Sequence, residues 1–330
     1  MNAQSINCLI VPTGIGASIG GYAGDANPVC RDLASISDLL ITHPNVVNGA
    51  ALTDIAPNVL VVEGALLDLF FENKLALRPG VKHKIGVIVD SNISEKDKAI
   101  TQNVVNAGRH FYGLDILDIE WTEEPMNCDL NEIGNAHTLL DASKRAVKKG
   151  ATALALMAKL PDPPEAEASK NYVAGEGYDP IGLIEAKISH LVSRELMIPS
   201  AHAPILDPPL YETIHKEGVV HPRVAAEFIG LSFLPSVLKC LSKSPEIIPI
   251  EEALVGDIKV TDLDNLIVPY DSCNGVPMRE AHRRGVKLIS VKENKTVLNE
   301  TAESLGLECE LVENYESVIC LIDPARAVFR

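Results

Sequence analysis

Two histidines directly follow apolar segments of the chain, where their side chains could move protons. His43 comes after one predicted strand, and His202 comes after another. An imidazole changes charge near neutral pH, so it can act as a general acid or base. With Asp207, these histidines predict a catalytic acid/base site; the alternative is that each only hydrogen-bonds its own turn. His190, His202 and Asp207 match no metal-ligand spacing that we recognise, so no metal is predicted.

A glycine-rich loop follows the first predicted strand, residues 6–11. Glycine lets backbone N–H groups approach a ligand closely, and such a loop before a helix can hold a phosphate or carboxylate. Its glycine spacing is similar to a dinucleotide-binding fingerprint in which the third glycine is displaced by one position. A purely structural loop is the alternative. The predicted ligand-binding residues here are Thr13, Gly14, Gly16, Ser18, Gly20 and Gly21.

A second candidate anion site is the turn between a predicted strand ending at Tyr270 and a helix starting near Val276. The N-terminus of a helix favours bound negative charge. It would also lower the pKa of Cys273 if the sulfur pointed there, which makes Cys273 a candidate nucleophile. A plain capped helix is the alternative. The predicted ligand-binding residues are Ser272, Asn274, Gly275 and, after the next strand, Asn294.

These segments depend on an alternation of short apolar runs with amphipathic segments along most of the chain. The alternation predicts an α/β fold: a doubly wound, mainly parallel sheet with helices on both faces. A proline-rich segment at 160–170 divides the prediction into an N-terminal α/β half, 1–160, and a C-terminal half, 161–330. The last apolar run, 317–322, is predicted to be a strand.

Ligands of parallel sheets bind beyond the carboxyl ends of the strands. We therefore expect the segments 13–21, 202–207 and 271–275 to converge on one pocket. Backbone N–H groups of this pocket would hold an anion, and His202 would move a proton.

Composition and charge narrow the classes of partner. The 330 residues carry 29 Lys and Arg against 45 Asp and Glu, a formal net charge of −16, which disfavours nucleic acid. No apolar run reaches the length of about 20 residues that spans a bilayer, so no membrane partner is expected. Seven cysteines without a C-x-x-C pair predict free thiols. We expect a cytoplasmic protein with a small-molecule anionic ligand; a homo-oligomer is compatible with the sequence, and no cofactor can be named.

Three stretches together resemble a full-length family of unknown function found in phototrophs and other bacteria. They are PTGIGASIGGYAGDANP, GYDPIGLIEAKISHLVSRE with the following AHAP, and SCNGVPMREAHRRGVKLISVKEN. That resemblance implies no activity. Separately, CNGVPMREAHRRGVKLISV is similar to the sugar-nucleotide turn of two-domain glycosyltransferases, although Lys287 replaces the usual proline.

The sequence therefore supports three functional hypotheses. The first is a soluble metabolic enzyme that binds a small anion, a phosphate or a carboxylate, and uses histidine acid/base chemistry. The second is a nucleotide-sugar or dinucleotide-dependent transferase or oxidoreductase. The third is a non-catalytic binding or assembly protein.

Overall fold

The first sheet contains six parallel strands, drawn from both ends of the chain. The computed structural model describes residues 5–20, 26–47, 55–129, 131–160, 177–205 and 233–325. The strands are β1 (Ile6–Leu9), β2 (Leu39–Thr42), β3 (Val59–Val61), β11 (Asn265–Pro269), β12 (Lys287–Val291) and β13 (Glu310–Val312). Their order in the sheet is β13-β12-β11-β1-β2-β3.

The second sheet is also parallel, and it lies within the chain between β3 and β11. The strands are β5 (Lys84–Val89), β6 (Asp115–Ile116), β7 (Glu120–Trp121), β8 (Ala153–Lys159) and β9 (Ser200–Ile205). Their order is β6-β5-β8-β9, and β7 also pairs with β5. We call the first sheet with its helices the first unit, and the second sheet with its helices the second unit. An antiparallel pair, β4 (Leu75–Arg78) with β10 (Glu246–Pro249), lies where the chain leaves and re-enters the first unit.

Helices cover both faces of each sheet, which confirms the predicted doubly wound α/β fold. Four begin at side-chain caps: Glu63, Ser94, Asp179 and Asn314 each accept a hydrogen bond from a backbone N–H in the first turn. The helices are α1 (Asn27–Ala34), α2 (Gly64–Phe71), α3 (Glu95–Phe111), α4 (Ala136–Lys148), α5 (Pro180–Leu196), α6 (Leu234–Leu241), α7 (Val276–Arg284) and α8 (Tyr315–Ile322).

Each sheet is buried between two apolar layers. In the first unit, α2 and α7 supply one layer, and α1 and α8 supply the other. In the second unit, α3 and α6 pack on one face, and α4 and α5 pack on the other. Strands covered on both faces are almost continuously apolar, as β8 is.

The sheets do not divide the chain at residue 160, in contrast to the predicted halves 1–160 and 161–330. β1 pairs with β11, and β8 pairs with β9, so both sheets cross that boundary. The second unit is instead an insertion into the first. The run 317–322, predicted as a strand, forms most of α8, and Asn314 caps that helix.

Candidate functional site

The main candidate site lies where α2 of the first unit packs against α5 of the second. Glu63 follows β3 and caps α2, with its Oε2 accepting a hydrogen bond from Ala65 N at 2.9 Å. Its other carboxyl oxygen, Oε1, lies 3.0 Å from Nε2 of His190 on α5. The Glu63 side chain is 4% exposed and that of His190 is 46% exposed, so a buried carboxyl group holds an imidazole that solvent can reach.

Gly64 permits this close contact between the two helices. A Cβ atom built at position 64 would lie 2.9 Å from Nε2 of His190. Any larger residue would therefore push the imidazole away from Glu63. The glycine at the start of α2 is explained by packing against α5.

Ser189, beside His190 on α5, connects the pair to a second imidazole. Its Oγ lies 3.0 Å from Nδ1 of His202 and 3.5 Å from Oε1 of Glu63. Nε2 of His202 lies 4.0 Å from Oε1 of Glu185, one turn before Ser189 on the same face of α5. The four side chains His190, Glu63, Ser189 and His202 form a continuous polar chain, which we call the junction cluster.

His202 was predicted to follow a strand. In the structure it lies within one, as the third residue of β9. Alternate residues of a strand face opposite sides of the sheet. Ala201 and Ala203 belong to the apolar layer of α3 and α6, so His202 faces α5. This alternation places the imidazole against Ser189.

The cluster holds one imidazole with a raised pKa, that of His190, beside one with a lowered pKa, that of His202. Burial acts to lower the pKa of His190, but the hydrogen bond and charge of Glu63, with the charge of Asp68, outweigh it, so the net change is upward. Burial and the nearby His190 lower the pKa of His202 to about 3. Burial likewise lowers the pKa of His43 to about 4. The carboxyl groups of Glu63 and Asp68 thus favour the protonated form of His190, whereas burial keeps His202 neutral at pH 7.

Asp68, one turn after Gly64 on α2, adds a second carboxyl group beside His190. Burial raises its pKa to about 6, against the opposing charges of His190 and Arg194. Arg194 is exposed on α5, one turn beyond His190. Two basic side chains of α5 thus face acidic side chains of α2.

His43 holds the glycine-rich loop in place. Its side chain follows β2, is only 5% exposed, and accepts a hydrogen bond at Nε2 from Val11 N, 3.1 Å away. Asn45 donates to three carbonyl groups of the same loop, those of Val11, Pro12 and Gly20. The structure gives His43 a positioning role.

The loop glycines predicted to hold an anion are packed against protein. Gly14 has φ +70°, and a Cβ there would lie 2.8 Å from Leu183 of α5. Gly20 has φ +84°, and a Cβ there would lie 2.5 Å from Cβ of Ala26. Gly16 is buried, and Ser18 Oγ donates to the carbonyl of Lys295. These contacts account for Gly14 and Gly20 without a ligand.

Asn294, another predicted ligand-binding residue, is fully buried and bonded to protein. Its Oδ1 accepts a hydrogen bond from Ile19 N, and its Nδ2 donates to Ile19 O and to the hydroxyl of Tyr315. Both amide hydrogens are therefore used. Asn294 fastens the glycine-rich loop to the end of β12.

Cys273 does not have the lowered pKa that a nucleophile at a helix N-terminus requires. The thiol is fully buried, its Sγ lies 3.6 Å from the carbonyl of Tyr270, and burial raises its pKa to about 12. The sulfur therefore bonds back to the preceding turn. In the same turn, Ser272 Oγ donates to Pro269 O and Asn274 donates to Glu300, while Gly275 precedes α7.

The contacts bring the predicted segments together in part. Ser18 N bonds to Lys295 O, and Thr296 N bonds to Asp271 Oδ1, so the loops after β1 and β11 are both tied to the segment after β12. The glycine-rich loop also meets α5, since Asp179 N donates to Gly14 O at 3.0 Å. His202 contacts α5 further along. Asp207 and Gly21 lie outside the described residues, and Thr13 is partly exposed.

Glu63 and Ser189 were not among the predicted site residues. Glu63 follows an apolar strand directly, the same signal that singled out His43, so it could have been found by that rule. Ser189 has no such signal, because its role depends on the register of β9 against α5. Within the described ranges, no group of three or more His, Cys, Asp or Glu side chains is arranged to hold a metal ion.

All seven cysteines are free thiols in the structure. Among the described residues, no helix is both long enough and apolar enough to cross a membrane.

The expected cytoplasmic location is contradicted by a relative. A protein of Synechococcus sp. named an uncharacterized lipoprotein is 38% identical over 316 residues, covering 93% of this chain and 87% of that protein. A lipoprotein name points to attachment at a membrane, which the sequence analysis did not predict. No solved structure matches the chain.

A family model described as a protein of unknown function, DUF3326, matches residues 6–329, nearly the whole chain. The resemblance to a full-length family of unknown function is thereby confirmed. The chain belongs to the DUF3326 family.

Proposed function

We propose that this protein is an enzyme that moves protons on a small anionic metabolite at the junction cluster. The observation that carries the proposal is the 3.0 Å contact between Nε2 of His190 and the buried Oε1 of Glu63, with His190 accessible to solvent. A buried carboxyl group beside an accessible imidazole is a common arrangement for a general acid.

The two imidazoles of the cluster have complementary roles in this proposal. His190, whose pKa is raised, carries the proton that is donated and offers positive charge to an anion. His202 is neutral at pH 7 because burial lowers its pKa to about 3; the charge of a bound anion raises that pKa and lets the imidazole accept a proton. Groups whose environments push their pKa values apart suit paired acid and base functions.

The binding charge for the anion is assigned to His190 and Arg194, which lie one turn apart on α5. The glycine-rich loop, which the sequence predicted to bind the anion, instead makes close contacts with α5, with the end of β12 and with His43. Its role in this proposal is to position the amino end of α5 through the bond from Asp179 to Gly14.

The proposal is tested by solvent-proton exchange, which requires no knowledge of the full reaction. Small carboxylic and phosphorylated acids are incubated with the protein in D2O, and NMR follows the replacement of their C–H protons by deuterium. We expect exchange of at least one class, reduced by ~10²–10⁴ in His202→Gln, the usual contribution of an acid/base group.

His137 provides a matched control, because it faces Glu124 at 3.9 Å on the exposed side of α4. His137→Gln should exchange at the wild-type rate. Thermal unfolding with each acid is measured alongside the exchange. The proposal fails if no acid exchanges its C–H protons and none raises the Tm, or if His202→Gln and His137→Gln have the same exchange rate. The first of these outcomes would favour the non-catalytic binding or assembly hypothesis.

The strand order favours nucleotide binding as a second candidate. The order β3-β2-β1-β11-β12-β13 repeats the 3-2-1-4-5-6 order of dinucleotide-binding sheets. Such folds place the phosphates at the helix that follows β1, whereas here α1 starts at Asn27, well after β1 ends at Leu9. A rise in Tm with nucleotides or nucleotide sugars, but not with small acids, would support this candidate over the first.

A further inference from the structure

We propose that Ser189 fixes the tautomer of His202, placing the proton on Nδ1 and leaving Nε2 as the basic nitrogen. This inference rests on the proposed acid/base function and names the atom that accepts the substrate proton. It follows from asking which neighbour accepts the single hydrogen of the buried Ser189 hydroxyl. Ser189 is 2% exposed, so neighbouring protein groups decide where that hydrogen points.

Among the described residues, four groups lie within hydrogen-bond range of Ser189 Oγ. Three are oxygens: Ala186 O at 3.2 Å, Glu185 O at 3.5 Å and Glu63 Oε1 at 3.5 Å. The fourth is Nδ1 of His202 at 3.0 Å. A backbone carbonyl can only accept, and a carboxylate oxygen likewise accepts, whereas an imidazole nitrogen can donate or accept.

The Ser189 hydroxyl has one hydrogen. In one arrangement it makes a hydrogen bond both to an oxygen acceptor and to Nδ1 of His202. If Ser189 donates to one of the oxygens, a lone pair of Oγ faces His202, whose Nδ1–H can donate to it. If Ser189 instead donated to Nδ1, its lone pairs would face oxygen atoms that can only accept. Because Ser189 and these acceptors are buried or part of the helix, the second arrangement is disfavoured.

The Nδ1–H tautomer leaves a lone pair on Nε2, the atom that lies 4.0 Å from Oε1 of Glu185. That separation is too long for a hydrogen bond. The basic lone pair is therefore on Nε2, the atom that would take a proton from a substrate, while Nδ1–H anchors the ring to α5. Ser189 acts through His202 and is a positioning residue.

The opposite tautomer would give a different chemistry. With Nε2–H directed at Glu185 and Ser189 donating to Nδ1, the three residues would resemble a serine nucleophile with its base and orienting acid. The tautomer of His202 thus separates a proton-transfer site from a nucleophilic serine site.

The direct test is a long-range ¹H–¹⁵N NMR spectrum of the wild-type protein at pH 7, in which protonated and unprotonated imidazole nitrogens resonate in separate regions. We expect His202 to show a protonated Nδ1 and an unprotonated Nε2. A protonated Nε2 overturns the proposal. The measurement needs no substrate, so a negative exchange assay with Nδ1–H intact refutes only the proposed function.

Variants show whether Ser189 is the cause. In Ser189→Ala the ratio of Nδ1–H to Nε2–H should fall by roughly fivefold, the equivalent of one lost neutral hydrogen bond. Ser189→Thr, which keeps the hydroxyl, should restore it. Ser193→Ala is the matched control, because Ser193 is buried one turn further along α5 and bonds to Ser200. An unchanged ratio in Ser189→Ala, or an equal change in Ser193→Ala, contradicts the assignment.

Discussion

Replacing Glu63 by glutamine is expected to lower the pKa of His190 by about one unit. A hydrogen bond to a charged group contributes about 1.5–3 kcal/mol, and one pKa unit corresponds to about 1.36 kcal/mol. The bond from His190 Nε2 to Glu63 Oε1 is therefore worth about one to two units. Because the His190 side chain is 46% exposed, solvent screening places the change at the lower end.

The assay is an NMR titration of the His190 Cε1–H resonance in the wild type and in Glu63→Gln. Glutamine keeps a side-chain oxygen for Ala65 N, so the cap of α2 is retained. Glu72→Gln is the control, since Glu72 lies at the other end of α2 and pairs with Lys74. A His190 pKa that stays at its wild-type value in Glu63→Gln would refute the pairing, and so would an equal fall in Glu72→Gln.

Three further predictions concern the framework of the site. Gly14→Ala should destabilise the protein by about 1–3 kcal/mol in urea unfolding, because φ is +70° and a Cβ would crowd Leu183. Gly113→Ala, at φ +61° with open space around it, should cost only the backbone strain; equal losses would contradict the packing argument. All seven thiols should titrate as free in denaturant without reductant, and Cys273 should be alkylated slowly in the native protein at pH 7 because burial raises its pKa to about 12; fast labelling of Cys273 would contradict its burial. In the folded protein the pKa of His43 is lowered to about 4, whereas in the unfolded chain it is near 6.5. Between these values the unfolded chain binds a proton at His43 and the folded protein does not, so the free energy of unfolding falls as pH decreases from 6.5 to 4. That loss is about 3 kcal/mol for this residue and should disappear from the pH dependence of unfolding in His43→Gln; an identical pH dependence in the variant would show that His43 is not buried neutral.

The sequence pattern was sufficient to predict the fold class, because strands covered on both faces must be nearly continuous in apolar residues. It could not predict which strands pair. β1 and β11 are adjacent in the sheet, with Asn7 opposite Asn265, although most of the chain separates them. The inserted second unit follows from that pairing, and nothing in the local pattern of β1 indicates it.

The C-terminal part of the chain shows that a short apolar run alone does not distinguish a strand from a helix. The run 317–322 was predicted as a strand, and it forms most of α8. Six apolar or small residues fit either structure. The deciding feature is Asn314, whose side chain accepts a hydrogen bond from Ser317 N and starts the helix.

At the candidate site, the sequence identified individual residues such as His202, but not the side chains that they contact. Glu185 and Ser189 lie one turn apart on one face of α5, and both approach His202. His190, on the same helix, instead meets Glu63 across the two units. Contacts of this kind depend on how α2 packs against α5, which no local pattern encodes.

The most direct test of the account is the pH titration of His43, His190 and His202 in the native protein by NMR. We expect His190 to titrate above the ordinary histidine value near 6.5, whereas His43 and His202 stay mostly neutral down to pH 5. Three histidines titrating together near pH 6.5 would mean that His43 and His202 are not buried and that Glu63 does not favour the protonated form of His190, and would contradict the proposed acid/base site.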